Sequence, residues 1–176
     1  MLKVVLTLVC LLALVHSQRR ASGYDLSTGG FFKEYLKEGK VTLQSWHGRF
    51  LCAEPSGRVV ADRIKAAGWE RFEPIFTGYG DGGRNIVPGH EYIVFKTHHD
   101  TYLSAMENGW VMTSIKVSKC EKFQYYFTGA GEDGWGLTAG NDYIVLKSCH
   151  GKYLTAETTG TVLNDRDKVG PWEKFS

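Results

Sequence analysis

Three histidines recur at nearly equal intervals: His47, His99 and His150 stand 52 and then 51 residues apart. Imidazoles at matching places in repeated units would surround a common axis, where they could bind a metal ion or titrate together at about pH 6.5. Zinc, however, requires its nitrogens at about 2 Å. Equivalent turns around an axis stand well apart, so the pattern favours a local hydrogen-bonding role and no metal site is expected. Aromatic side chains offer a second chemistry. Trp135, Trp110 and Tyr79 are candidates to stack on a sugar ring while Asp133 and backbone groups bond its hydroxyls. Trp135, within Asp133-Gly-Trp-Gly136, has the strongest claim, because flanking glycines give little cover. Packing beneath a loop is the competing role for each.

Catalysis finds no support. The chain contains no Gly-x-Ser-x-Gly elbow, His-Glu-x-x-His helix, Walker loop or dinucleotide fingerprint. Glu70, Glu121 and Glu173, 51 and then 52 residues apart, recur with the same repeat and are expected to alternate outward into surface ion pairs, not to act as paired catalytic carboxylates. The expectation is a protein that is not an enzyme, without catalytic residues or cofactor.

The elements that carry these residues come from a longer repeat. Arg49-Phe-Leu-Cys-Ala-Glu54 returns as Thr101-Tyr-Leu-Ser-Ala-Met106 and as Lys152-Tyr-Leu-Thr-Ala-Glu157. Four residues past each alanine comes Gly57, Gly109 or Gly160, and each unit closes on Trp69-Glu-Arg-Phe72, Cys120-Glu-Lys-Phe123 or Trp172-Glu-Lys-Phe175. Regular recurrence signals one supersecondary unit built several times around a shared core. Apolar residues alternate within each unit, as at Leu51/Ala53, which argues strands. The glycines suit hairpin turns that need positive φ. Each unit reads as four strands, near 41–46, 50–54, 58–62 and 69–77 in the first. The expected fold is all-β: a β-trefoil of three pseudo-threefold repeats of about 51 residues and twelve strands, with a barrel that abolishes open edges. A β-sandwich or a propeller-like array is the alternative. The expected core is Leu51, Ala53, Trp69, Phe72, Leu103, Ala105, Phe123, Leu154, Ala156, Trp172 and Phe175.

Residues 1–17 read as a secretory signal, with Lys3, an apolar run from Val4 to Val15, and the small residue Ser17 at a cleavage site. That run falls short of the roughly 20 residues that span a bilayer. Residues 18–40 form an N-terminal extension whose Phe31, Phe32, Tyr35 and Leu36 are expected to cover the barrel seam, and residues 41–176 form the domain. The whole chain carries 21 Lys and Arg against 19 Asp and Glu, interspersed, which argues against nucleic acid or an anionic membrane as partner. With Cys10 in the leader, Cys52, Cys120 and Cys149 remain. An odd count in an oxidising compartment implies one bridge and one further thiol. In a trefoil the strand opened by Cys120 lies antiparallel to the one ended by Cys149, so Cys120–Cys149 is the expected disulfide. Three buried thiols would be the alternative.

His150-Gly-Lys-Tyr-Leu-Thr-Ala-Glu157, Gly160-Thr-Val162, Trp172-Glu-Lys-Phe175 and His47-Gly-Arg-Phe-Leu-Cys-Ala-Glu54 resemble the repeated pattern of the fascin family of actin cross-linkers. The resemblance covers about residues 41–176 and implies a β-trefoil, with actin filaments as a candidate partner. Fascins place four trefoils in one cytosolic chain, whereas the leader and the single set of repeats here favour a secreted, extracellular protein that recognises a glycan, matrix component or protein through its loops. A weaker similarity, through Tyr102-Leu-Ser-Ala-Met-Glu-Asn-Gly109 and Ser118-Lys-Cys-Glu-Lys-Phe123, is to fibroblast growth factors and suggests a receptor ligand. A structural matrix protein is a further alternative. Gln44-Ser-Trp46 superficially resembles the Gln-x-Trp element of ricin-type lectins, but occurs once and on a first strand.

Overall fold

The structure is a computed structural model that describes residues 39–80, 82–131 and 133–176. The expected signal, and the extension with Phe31, Phe32, Tyr35 and Leu36, lie outside the described residues apart from Gly39 and Lys40. Among the described residues ten strands follow in order: β1 (Phe50–Ala53), β2 (Val59–Arg63), β3 (Glu73–Thr77), β4 (Tyr92–Lys96), β5 (Tyr102–Ala105), β6 (Val111–Ser114), β7 (Gln124–Thr128), β8 (Tyr143–Lys147), β9 (Tyr153–Ala156) and β10 (Val162–Arg166). They form three antiparallel sheets ordered β1-β2, β3-β4-β5-β6 and β10-β9-β8-β7. Among the described residues, helix is limited to two single 3-10 turns, Lys119–Glu121 and Pro171–Glu173.

Two of the twelve expected strands are reduced to isolated bridges. The segment around Val41 is bridged at Val41–Phe72 and Gln44–Phe50, and the closing segment of the last copy at Ile144–Phe175. These two ends also meet each other: Gln44 and Ser176 exchange both backbone hydrogen bonds, at 2.8 and 3.0 Å. A single paired residue makes a bridge, not a ladder.

The hairpin turns take the backbone their glycines predict. Gly57, Gly109 and Gly160 have φ of +85°, +88° and +85°. Their carbonyls then link the hairpins into a ring. Gly57 accepts from Thr113, Gly109 from Asn164 and Gly160 from Ala61, at 2.9, 2.8 and 2.8 Å. A Cβ on Gly160 would lie 3.0 Å from that of Asp62, so a side chain there would meet both strain and crowding.

Behind the ring lies one apolar core. Leu51, Leu103 and Leu154 are fully buried, together with Ala53, Ala105, Ala156, Phe72, Phe123 and Phe175. In β4 and β8 three successive residues are buried, Ile93-Val94-Phe95 and Ile144-Val145-Leu146, because these inner strands are covered on both faces. Two expected core residues sit elsewhere. Trp69 is 39% exposed and Trp172 is half-buried. The closing strand begins at Glu73, not at residue 69, so Trp69 occupies a turn and Trp172 a 3-10 turn. Strand alternation does not extend back to either, and both indoles lie outside the apolar core.

The same shift of phase turns the glutamates inward. Glu70, Glu121 and Glu173 are buried, where a surface position was expected. Each carboxylate accepts from the backbone N–H three residues earlier: Ala67 at 2.8 Å, Ser118 at 2.6 Å and Gly170 at 2.7 Å. A buried carboxylate without such donors would be costly. Here it ties the turn before each closing segment.

Candidate functional site

The loop carrying Trp135 is held from below. Thr128, at the end of β7, accepts from the Thr138 N–H at 2.8 Å and donates to the Thr138 carbonyl at 2.9 Å, which pins the loop's base. The buried Lys174 ammonium donates to the carbonyls of Gly129 and Ala130, at 3.0 and 2.9 Å. Burial pushes its pKa below the ordinary lysine value. Lys122 makes the matching bonds to Gly78 and Tyr79 under the preceding loop.

Trp135 is aimed by its glycine neighbours. At Gly134, where φ is +75°, a Cβ would come within 2.8 Å of the Pro171 ring, so only glycine lets the loop approach so closely. Gly136 donates to the Val169 carbonyl at 2.9 Å. Across from the indole, a Cβ on Gly170 would lie 3.1 Å from it.

Between this loop and residues 166–173 lies a cleft of about 510 Å³. Trp135 and Trp172 supply its aromatic surface, Pro171 an apolar edge, and Arg166 and Lys168 its cations. Trp135 is 65% exposed. Trp172 is backed by the His47 ring, with centroids 5.3 Å apart in an edge arrangement. Arg166 is engaged by Glu157, by Asp165 at 2.8 Å and by the buried Glu173 at 4.0 Å. Asp167 pairs with Lys152 at 2.6 Å. Such a surface can stack on a flat apolar face, with Lys168 and the carboxylates beside it available to a charged or hydroxyl-rich edge.

The other candidates do not join this cleft. Asp133 is exposed on the same loop but does not line it. Trp110 is 45% exposed in the β5–β6 hairpin and bridges to Leu163. Tyr79 packs on Tyr92 in a tilted arrangement with centroids 5.7 Å apart. Sequence reasoning therefore found one wall of the cleft and missed the other, because Trp172 was placed in the core. Its signal was the Gly170-Pro-Trp172 run, which matches a short exposed turn better than a strand.

The three histidines do not converge. His47 faces Trp172, His99 faces Trp69 at 5.4 Å, and His150 lies against the Cys120–Cys149 disulfide, which forms as expected with its Cα atoms 5.0 Å apart. Cys52 is fully buried. Burial and a hydrogen bond to Glu70 push its thiol up to about 12, which keeps it protonated and inert.

No family model matches the chain. Two curated relatives are similar. Human Fascin-3 is 24% identical over 178 residues, covering 87% of this chain and 34% of the relative. Mouse Fascin-3 is 23% identical over 169 residues, covering 85% and 33%. The chain thus spans about a third of the length of these relatives. Weak identity over most of the chain and an all-β architecture fit a fascin-like β-trefoil at family level.

Proposed function

We propose that the chain is an exported fascin-type β-trefoil that acts by binding, not catalysis, and that the Trp135–Trp172 cleft is its ligand site. The trefoil reading, three units with twelve strand positions, is supported by the ring of hairpin bonds and by the three like bridges Val41–Phe72, Ile93–Phe123 and Ile144–Phe175. Export is supported by the leader-like residues 1–17 and by the disulfide, which belongs to oxidising compartments.

The observation that carries the ligand site is its asymmetry. In the preceding loop Gly83 approaches Lys119 as Gly134 approaches Pro171. There Arg84 stands where Trp135 stands, and the disulfide-bonded Cys120 where Trp172 stands. The backbone of the cleft is therefore repeated while its two indoles occur together in one copy. Packing alone would reuse the same side chains. The chemistry suits an extracellular glycan whose sugar face stacks on Trp135, with Lys168 favouring an acidic residue beside it. On a glycan array the folded protein is expected to select a family of oligosaccharides and Trp135→Ala to lose it. Equal retention by the two proteins would refute the assignment.

The similarity to Fascin-3 favours a second reading, actin-filament binding. It predicts co-sedimentation with filaments that saturates with protein concentration; a protein remaining in the supernatant excludes it.

A further inference from the structure

We propose that, when the Cys120–Cys149 bond is reduced, Cys120, Cys149 and His150 form a site for a single divalent cation of the zinc class. The bond joins the turn Lys119–Glu121 to the residue pair following β8. His150 turns back on it, with Nε2 3.8 Å from Cys120 Sγ. Ligand atoms of the three residues all lie within 4.8 Å of one another, and no other such trio of His, Cys, Asp or Glu occurs among the described residues. Tetrahedral zinc, with bonds of about 2.3 Å to sulfur and 2.0–2.1 Å to nitrogen, sets sulfur and nitrogen about 3.6 Å apart. The imidazole already stands near that distance. Water would complete the tetrahedron, as in other three-ligand zinc sites.

The matching junctions show why a link belongs here. Trp69 packs on His99 and Trp172 on His47, so an indole fills the space between turn and histidine. Cys120 takes the indole's place at the third junction, and the disulfide joins what packing no longer fills. Reduction leaves neither. A bound cation would reconnect the same two segments.

The chemistry balances with a dithiol reductant of the thioredoxin class. The dithiol gives two electrons and two protons to the protein disulfide, yielding two protein thiols and its own disulfide. The cation then binds both sulfurs as thiolates and releases their two protons to solvent. His150 gives up the hydrogen bond that Nε2 donates to the Ala105 carbonyl at 3.0 Å, moves its proton to Nδ1 and ligates through Nε2.

Cobalt(II), which reports tetrahedral thiolate ligation by its visible and near-ultraviolet bands, is the probe, with zinc as competitor. The reduced full chain is expected to bind one equivalent with thiolate-to-cobalt bands that zinc abolishes, and the oxidised chain to bind none. His150→Ala should weaken binding by more than the roughly 10- to 100-fold lost with a partner that only orients a ligand. Cys52→Ser should leave the bands intact. Circular dichroism of each sample follows the fold. Equal uptake by oxidised protein, undiminished affinity in His150→Ala, loss of the bands in Cys52→Ser, or a reduced chain that is unfolded and that metal does not refold would each overturn the proposal.

Discussion

Cys52 shows how one side chain's surroundings decide its chemistry. It shares its phase in the repeat with Ser104 and Thr155, and Ser104 donates to Glu121 at 2.6 Å as Cys52 bonds Glu70. The thiol thus serves as a hydrogen-bonding group in a closed space. In the folded state it is expected to resist alkylation, and to react once denaturant is added. Its titration has a definite sign. The folded pKa is raised from 9.0 to about 12, so the unfolded chain ionises first and stability falls as pH rises from about 9 towards 12. In Cys52→Ser this part of the alkaline loss is expected to vanish; denaturant titrations across that range would measure it, and an unchanged slope would contradict the assignment. Sequence made Cys120–Cys149 legible because fold and spacing place both at adjoining elements. It did not make the inward turn of Glu70, Glu121 and Glu173 legible. Their hydrogen bonds reach only three residues back, into turns that alternation treats as strand.

Among elements, the two glycine-rich loops are held from below in the same way. Thr77 and Lys122 hold the first loop as Thr128 and Lys174 hold the second, so a common frame presents different residues. Gly134 is the position at which that frame touches the cleft. Gly134→Ala meets a positive φ and the Pro171 ring together, and is expected to cost more than about 1 kcal/mol while moving Trp135. Thermal unfolding and tryptophan emission would report both effects; a variant with wild-type stability and emission would show the contact to be unimportant. Trp135 was legible because two glycines flank it. Its partner wall was not, since Trp172 sits 37 residues away and the turn that exposes it depends on Gly170-Pro171. The hairpins were legible throughout: Gly57, Gly109 and Gly160 recur where positive φ is needed.

At the scale of the molecule, the closed ring of hairpins and the meeting of Gln44 with Ser176 tie early and late parts of the chain into one core. Leu51, Leu103 and Leu154, each fully buried, should then behave alike. Each Leu→Ala change is expected to cost about 2–5 kcal/mol, and denaturant curves should stay two-state with similar losses. One variant losing far less, or a curve with two transitions, would mean separate cores. Long-range pairing also predicts slow folding relative to helical chains of this size. The proposed glycan binding also belongs to this scale. The chain has five tryptophans, Trp46, Trp69, Trp110, Trp135 and Trp172, hence five indole N–H resonances. Titrating the labelled protein with the oligosaccharide it selects from a glycan array should shift those of Trp135 and Trp172 and leave the other three in place. Shifts confined to Trp110, Trp46 or Trp69, or no saturable shift with any oligosaccharide, would contradict the cleft as the seat of function.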